Sequence, residues 1–155
     1  MTSKLKTDIL ETVSGSGTTL TSAVMPSGST LQYIRVNMTT APNSTSTTFF
    51  DIGSIAITPI SNNSTLVITV CSGSSEAGNF SLHRVWNNDT SVSAGDWQQG
   101  GWQGQAAQAF THTLSQSNTR TTATTFKYQG KVDSGTGYFN YSNPNPYLSI
   151  TEIKN

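Results

Sequence analysis

From residue 31 onward the chain is a succession of short apolar or alternating segments separated by turn residues. Residues 31–38, LQYIRVNM, make the first clear strand. Strands are also predicted over 47–52, 54–58, 65–71, 80–86, 109–114, 123–129, 138–141 and 147–154. Pro59 stops one of them, and Ser61-Asn62-Asn63-Ser64 and Asn87-Asn88-Asp89-Thr90 are turn clusters. The run Thr65-Leu66-Val67-Ile68-Thr69-Val70-Cys71 is nearly continuous in apolar character and reads as a strand buried on both faces. Residues 91–108 carry no clean period and read as a long irregular region, and no segment makes a convincing helix. About nine short strands at irregular spacing predict an all-β fold, an antiparallel β-sandwich of jelly-roll type, ahead of an up-and-down barrel.

Residues 1–30 differ from the rest. Ser14-Gly15-Ser16-Gly17 and Met25-Pro26-Ser27-Gly28 are breaks. The apolar residues Leu5, Ile9, Leu10 and Val13 are weakly helical in spacing, but Thr7, Thr12 and Val13 are poor helix formers, so an extended arm is the reading adopted. The expected organisation is an arm over 1–30, serving attachment or oligomerisation through Leu5, Ile9, Leu10 and Val13, and a β-sandwich domain over 31–155. No apolar h-region follows Lys4 and Lys6, so no secretory signal is expected.

Composition sharpens this picture. The chain holds 22 Ser and 25 Thr among 155 residues, and only 10% of it is charged. Threonine suits a pleated, half-buried surface, and the grouped apolar residues favour order over disorder. Eight basic and eight acidic residues give zero formal charge, which argues against nucleic-acid binding by bulk electrostatics and against an anionic-membrane binder. No apolar run approaches the roughly 20 residues of a membrane span. One cysteine and two distant histidines leave no obvious metal set, and no cofactor is expected.

Catalytic chemistry is weakly represented, and a non-enzymatic protein is expected. Asp89 and Asp96 are the only carboxylates that could be named as an acid–base pair, with turn or cap roles favoured for both. His83 and His112 each lie inside a strand and are read as structural, and Cys71 as a small buried hydrophobe. Gly100-Gly101-Trp102-Gln103-Gly104 is Gly-rich but feeds no helix and is no phosphate loop. What stands out is that all three tryptophans, Trp86, Trp97 and Trp102, fall within 17 residues, among glutamines and glycines. Indole rings beside planar amides suit sugars and protein partners alike, so Trp97, Gln98, Gln99, Trp102, Gln103 and Gln105 are candidate partner or glycan contacts. The competing reading puts one or two of the tryptophans in the core or a subunit interface. Tyr138-Phe139-Asn140-Tyr141 with Tyr147 forms a second aromatic–amide group.

The segment Leu5-Lys6-Thr7-Asp8-Ile9-Leu10-Glu11, the Gly/Ser/Thr stretch after it, and Met25-Pro26-Ser27-Gly28 leading into Leu31-Gln32-Tyr33-Ile34 resemble tail-fibre and related virion proteins of tailed phages, especially those of marine and cyanobacterial hosts. Residues 47–52, Ile55-Ala56-Ile57-Thr58-Pro59, Leu66-Val67-Ile68-Thr69-Val70, Phe80-Ser81-Leu82-His83-Arg84 and Leu148-Ser149-Ile150-Thr151-Glu152-Ile153 are similar to the same proteins. The resemblance implies a β-rich virion surface protein, assembled as a homotrimer, contacting other virion proteins and a host receptor such as a surface glycan. A short fibre or tip fits this chain better than a full fibre. A capsid decoration or cement protein is the alternative, and a carbohydrate-binding module a further one.

Overall fold

A computed structural model describes residues 25–76, 80–100, 108–141 and 145–155. Among these there is no helix. The strands are β1 (Thr30–Asn37), β2 (Asn43–Ser44), β3 (Phe50–Ile57), β4 (Ser64–Glu76), β5 (Phe80–Asn87), β6 (Val92–Gly100), β7 (Gln108–Asn118), β8 (Thr124–Val132), β9 (Gly137–Phe139) and β10 (Tyr147–Lys154). The residues predicted to form the arm, Leu5, Ile9, Leu10 and Val13, lie outside the described residues.

The eight long strands pair as a hairpin rolled on itself. The first pairs with the last (β1–β10), the second with the seventh (β3–β8), the third with the sixth (β4–β7) and the fourth with the fifth (β5–β6), all antiparallel. The β10–β4 and β8–β5 pairings close the roll into two sheets, β1-β10-β4-β7 and β3-β8-β5-β6. This is the jelly-roll order expected from the strand pattern. The short β9 and β2 extend the first sheet beside the end of β4.

The inward face of each strand follows period two. Leu66, Ile68 and Val70 of β4 and Leu148 and Ile150 of β10 meet Ile55 and Ile57 of β3, Phe126 and Tyr128 of β8 and Val85 of β5 in one core cluster. The β4 run is therefore buried on one face only: Thr65, Val67, Thr69 and Cys71 are half-buried on the other, which corrects the expectation of two buried faces and of a buried Cys71. The β-branched Thr65, Val67 and Thr69 form an outer Thr/Val surface, with the Thr69 and Thr113 hydroxyls 3.2 Å apart.

Two further expectations are revised. Residues 47–52 and 54–58 are not separate strands, because β3 runs through Gly53 with a register shift between Asp51 and Gly53. Glycine there is a close approach and not a stop: a Cβ would sit 2.8 Å from the Met38 sulfur. Residues 92–100, read as irregular, form β6 as a regular partner of β5, with its own register shift at Val85/Trp86. Cross-strand hydrogen bonding to β5 overrides a local sequence whose glycines and glutamines hide the alternation.

Gly130 makes the tightest approach in the core. A Cβ there would lie 2.5 Å from the Phe139 ring and 2.8 Å from Ile52. Phe139 is itself fully buried and meets Phe50 edge-to-face at 5.1 Å. Gly130→Ala is expected to destabilise the fold by about 1–3 kcal/mol through overpacking, read as a lower urea midpoint at unchanged slope.

At the other end of the sandwich one carboxylate holds the connection between β3 and β4. Glu152 on β10 is buried, and its oxygens accept from Gln32 Nε2 (2.7 Å), the Ile60 amide (2.8 Å), the Ser61 amide (3.0 Å) and Ser64 Oγ (2.8 Å). Burial alone raises its pKa, but these four donors outweigh burial and hold it below the ordinary carboxylate value. A depressed carboxyl pKa contributes stability that is present above the unfolded-state value and is lost as pH falls through the folded one. Glu152→Gln turns an amide NH2 toward donors. It should cost about 2 kcal/mol at neutral pH and less in acid, where the native carboxylate is itself protonated, as measured by denaturation at both pH values.

Candidate functional site

The tryptophan-rich stretch is the place where the sequence points to chemistry, and its described part turns inward. Trp97 on β6 pairs in register with His83 on β5. Its ring packs against the core cluster, parallel to His112 of the opposite sheet at 4.4 Å and to His83 at 5.6 Å, and edge-on to Phe110 at 6.0 Å. These are the contacts of a packing residue, a partly buried ring set against the core cluster. Its Nε1 is buried and has no hydrogen-bond partner among the described residues. Gln98 and Gln99 continue β6 opposite Leu82 and Ser81, and their side chains lie outside the described residues. Trp102, Gln103 and Gln105 lie outside them as well. Trp86 points to the other face of the same sheet, away from Trp97.

His83 stands at the centre of this cluster with no solvent exposure. Phe110 and Phe139 from the first sheet meet its ring edge-on at 5.1 and 5.4 Å, and Tyr128 lies parallel at 5.7 Å. Both ring nitrogens are engaged, Nε2 with Ser81 Oγ and Nδ1 with the Tyr128 hydroxyl, each at 2.7 Å. The Tyr128 hydroxyl donates on to Ser72 Oγ at 3.4 Å, Ser72 donates to Asn140 Oδ1 at 2.7 Å, and Asn140 Nδ2 donates to the Thr40 carbonyl at 2.8 Å. One consistent direction of donation results: Ser81 donates to Nε2, and Nδ1–H donates to Tyr128. The imidazole is then the neutral Nδ1–H tautomer, as inferred from the network. Burial lowers its pKa to about 3 and raises that of Tyr128.

A serine hydroxyl bonded to an imidazole has the donor–acceptor relation of an activated nucleophile. Here the imidazole and both hydroxyls are sealed between the sheets: Ser81, His83, Ser72 and Tyr128 are all fully buried. The group bridges the two sheets. Removing the hydroxyl of Tyr128 strands the His83 Nδ1–H. Tyr128→Phe should cost about 1–3 kcal/mol, and combined with Ser72→Ala the losses should be non-additive in a double-mutant cycle.

The chain of donors ends at a cleft. Asn140, held in the left-handed region at φ 57°, reaches Thr40 at the wall of an open cavity of about 430 Å³. Asn37, Met38, Asn145 and Pro146 complete its lining, and none of its described lining side chains is ionisable. Tyr138 and Tyr141, two residues before and one after Asn140 in the chain, are exposed with ring centres 5.7 Å apart, and Tyr147 carries the Arg35 guanidinium 3.9 Å above its ring. The second aromatic–amide group of the sequence therefore collects at one end of the sandwich. The connection over residues 39–41 supplies cleft lining that the sequence did not mark, because Thr39-Thr40-Ala41 has no distinctive chemistry until Asn140 meets it.

Of the carboxylates considered for catalysis, Asp89 takes a turn role and Asp96 lies within β6. Asp89 Oδ2 accepts the Thr125 amide at 2.7 Å and its own amide donates to Asn87 Oδ1 at 3.1 Å. Asp96 accepts a short hydrogen bond from Ser93 Oγ. Among the described residues no group of three or more His, Cys, Asp and Glu side chains could hold a metal ion. No protein-family model matches the chain, and no curated protein sequence matches it.

Proposed function

We infer that this chain is a non-enzymatic phage virion structural protein, a homotrimeric fibre- or tip-type protein displayed on the particle surface. The family reading rests on the sequence resemblance, and the eight-strand jelly roll is an architecture used by viral capsid and lectin domains among others. One structural observation carries the assembly part. Among the described residues strand β1 ends its sheet, and its core-facing side is uncovered toward its C-terminal end: Ile34 packs against the core, but Val36, which pairs with Leu148, is 41% exposed where Leu148 is 1%. Tyr33, on the outer side of the same strand, is 57% exposed. An edge that no described strand pairs, with apolar side chains on both of its faces, is a surface that a second copy would cover.

The reading of a monomeric carbohydrate module using Trp97 is weakened by the packing of that ring. A head decoration protein shares the fold and the assembly surface and differs in where it sits on the particle.

Light scattering on a sizing column tests the assembly. The wild-type chain is expected at three times its 16.5 kDa mass. Val36→Glu, with Tyr33→Ser as a milder variant, is expected to shift it to the monomer while the β spectrum is kept. A wild-type monomer at micromolar concentration contradicts the trimer.

A further inference from the structure

The outer face of the β3-β8-β5-β6 sheet carries a feature that neither the assembly nor the core uses. Along β5 the outward side chains are Phe80, Leu82, Arg84 and Trp86, a row of about 20 Å. On β8 their register partners are Lys131 opposite Leu82, Gln129 opposite Arg84 and Lys127 opposite Trp86. Three of the chain's eight basic residues thus lie side by side on one face of a protein that is otherwise poor in charge.

Arg84 is fixed in place. Its guanidinium carbon lies 4.0 Å from the ring centre of Phe49 and 4.2 Å from that of Trp86. Its Nε donates to Gln129 Oε1 at 2.7 Å, and the buried Gln129 amide in turn donates to Asp51 at 2.5 Å. Asp51 is taken up by Lys127 at 2.8 Å. Lys131 sits on the same Phe49 ring, with its ammonium 5.0 Å from the ring centre. Asp51 lies near Arg84 but is engaged by Lys127 and Gln129, and Asp133 borders the face, its amide donating to the Phe80 carbonyl at 3.0 Å. Asp96, the register partner of Arg84, turns to Ser93, and among the described residues no carboxylate pairs with Arg84 or Lys131. Two cations converge on one phenylalanine. One is pre-oriented by stacking and by its Nε bond, so its Nη edge is left to receive a planar oxyanion. Arginine held this way loses little freedom on binding.

We propose that this face binds a carboxylate-bearing glycan of the uronic acid type. Arg84 and Lys131 receive the carboxylate beside Phe49, and the sugar rings rest on Leu82 and the exposed Phe80. A singly charged carboxylate fits two cations that share the face with Asp51 and Asp96 better than a doubly charged phosphate does, and its planar pair of oxygens matches the guanidinium edge. The apolar row along β5 favours a sugar chain over an acidic peptide. The proposal stands on this face alone and does not depend on the particle assignment.

Calorimetric titration of the full chain with an oligogalacturonate tests it, with a neutral malto-oligosaccharide, polyglutamate and inorganic phosphate as parallel probes. The oligogalacturonate alone should bind measurably. Arg84→Lys and Lys131→Gln should each weaken it about tenfold, and Phe80→Ser should weaken it while leaving the fold intact. Arg120→Gln, a basic residue away from the face, should leave it unchanged. Lys131→Gln changes a half-buried surface residue and keeps the test open if Arg84→Lys unfolds. Absence of oligogalacturonate binding overturns the proposal. So does equal binding of polyglutamate or phosphate, or an equal loss in Arg120→Gln.

Discussion

A neutral imidazole sealed between two sheets is the constraint on which the rest of this structure depends. His83 sits where the jelly roll must join its halves, and its ring is touched by aromatic side chains from both. Its two nitrogens take one hydroxyl each, so a group that is costly to bury unpaired is fully satisfied. From it a line of donors runs through Tyr128, Ser72 and Asn140 to the Thr40 carbonyl and ties the core to the wall of the open cleft. Because the folded imidazole has a pKa of about 3, the unfolded chain binds the extra proton over the interval up to the ordinary histidine value near 6.5. Stability supplied by the neutral ring is full above that interval and falls as pH drops through it, by up to about 1.4 kcal/mol per pH unit. Glu152 at the opposite end loses its contribution as pH falls below the ordinary carboxylate value, so the two ends weaken in the same direction on acidification.

The polar ends and the apolar middle of the core explain how a chain so poor in charge and so rich in Ser and Thr folds at all. Leu66, Ile68, Val70, Leu148 and Ile150 supply the dry centre. Ser64, Ser72, Ser81 and Asn140 are buried beside it, each with a hydrogen-bond partner. Short hydroxyls serve this purpose because they add donors and acceptors with little side-chain entropy to lose.

Most of the fold was legible in the sequence because strand periodicity is local. Residues 31–38, 80–86 and 147–154 alternate or run apolar between turn residues, and each is a strand close to the expected limits. What was hidden depended on partners far along the chain. The strand at 92–100 is defined by its ladder to β5, and Gly53 reads as a break until Met38 and Leu148 are seen against it. The outcome for Trp97 could not be decided locally either, since an indole among glutamines looks the same whether it faces a partner or a core. The clamp on Arg84 was invisible for the same reason: Phe49 and Gln129 reach it from 35 and 45 residues away. His83 was read as structural from its place inside a strand, but its role as the bridge needed Tyr128 and Ser72 beside it.

The state of His83 is the most direct point at which to test this account. Nitrogen–proton NMR of the histidine side chains, followed from pH 8 to pH 4, reads tautomer and protonation at once. His83 should show the neutral Nδ1–H form with shifts that do not move across the whole range, in slow exchange with solvent. Titration of His83 near its ordinary value, or an Nε2–H tautomer, would contradict a sealed imidazole donating to Tyr128 and bridging the two sheets.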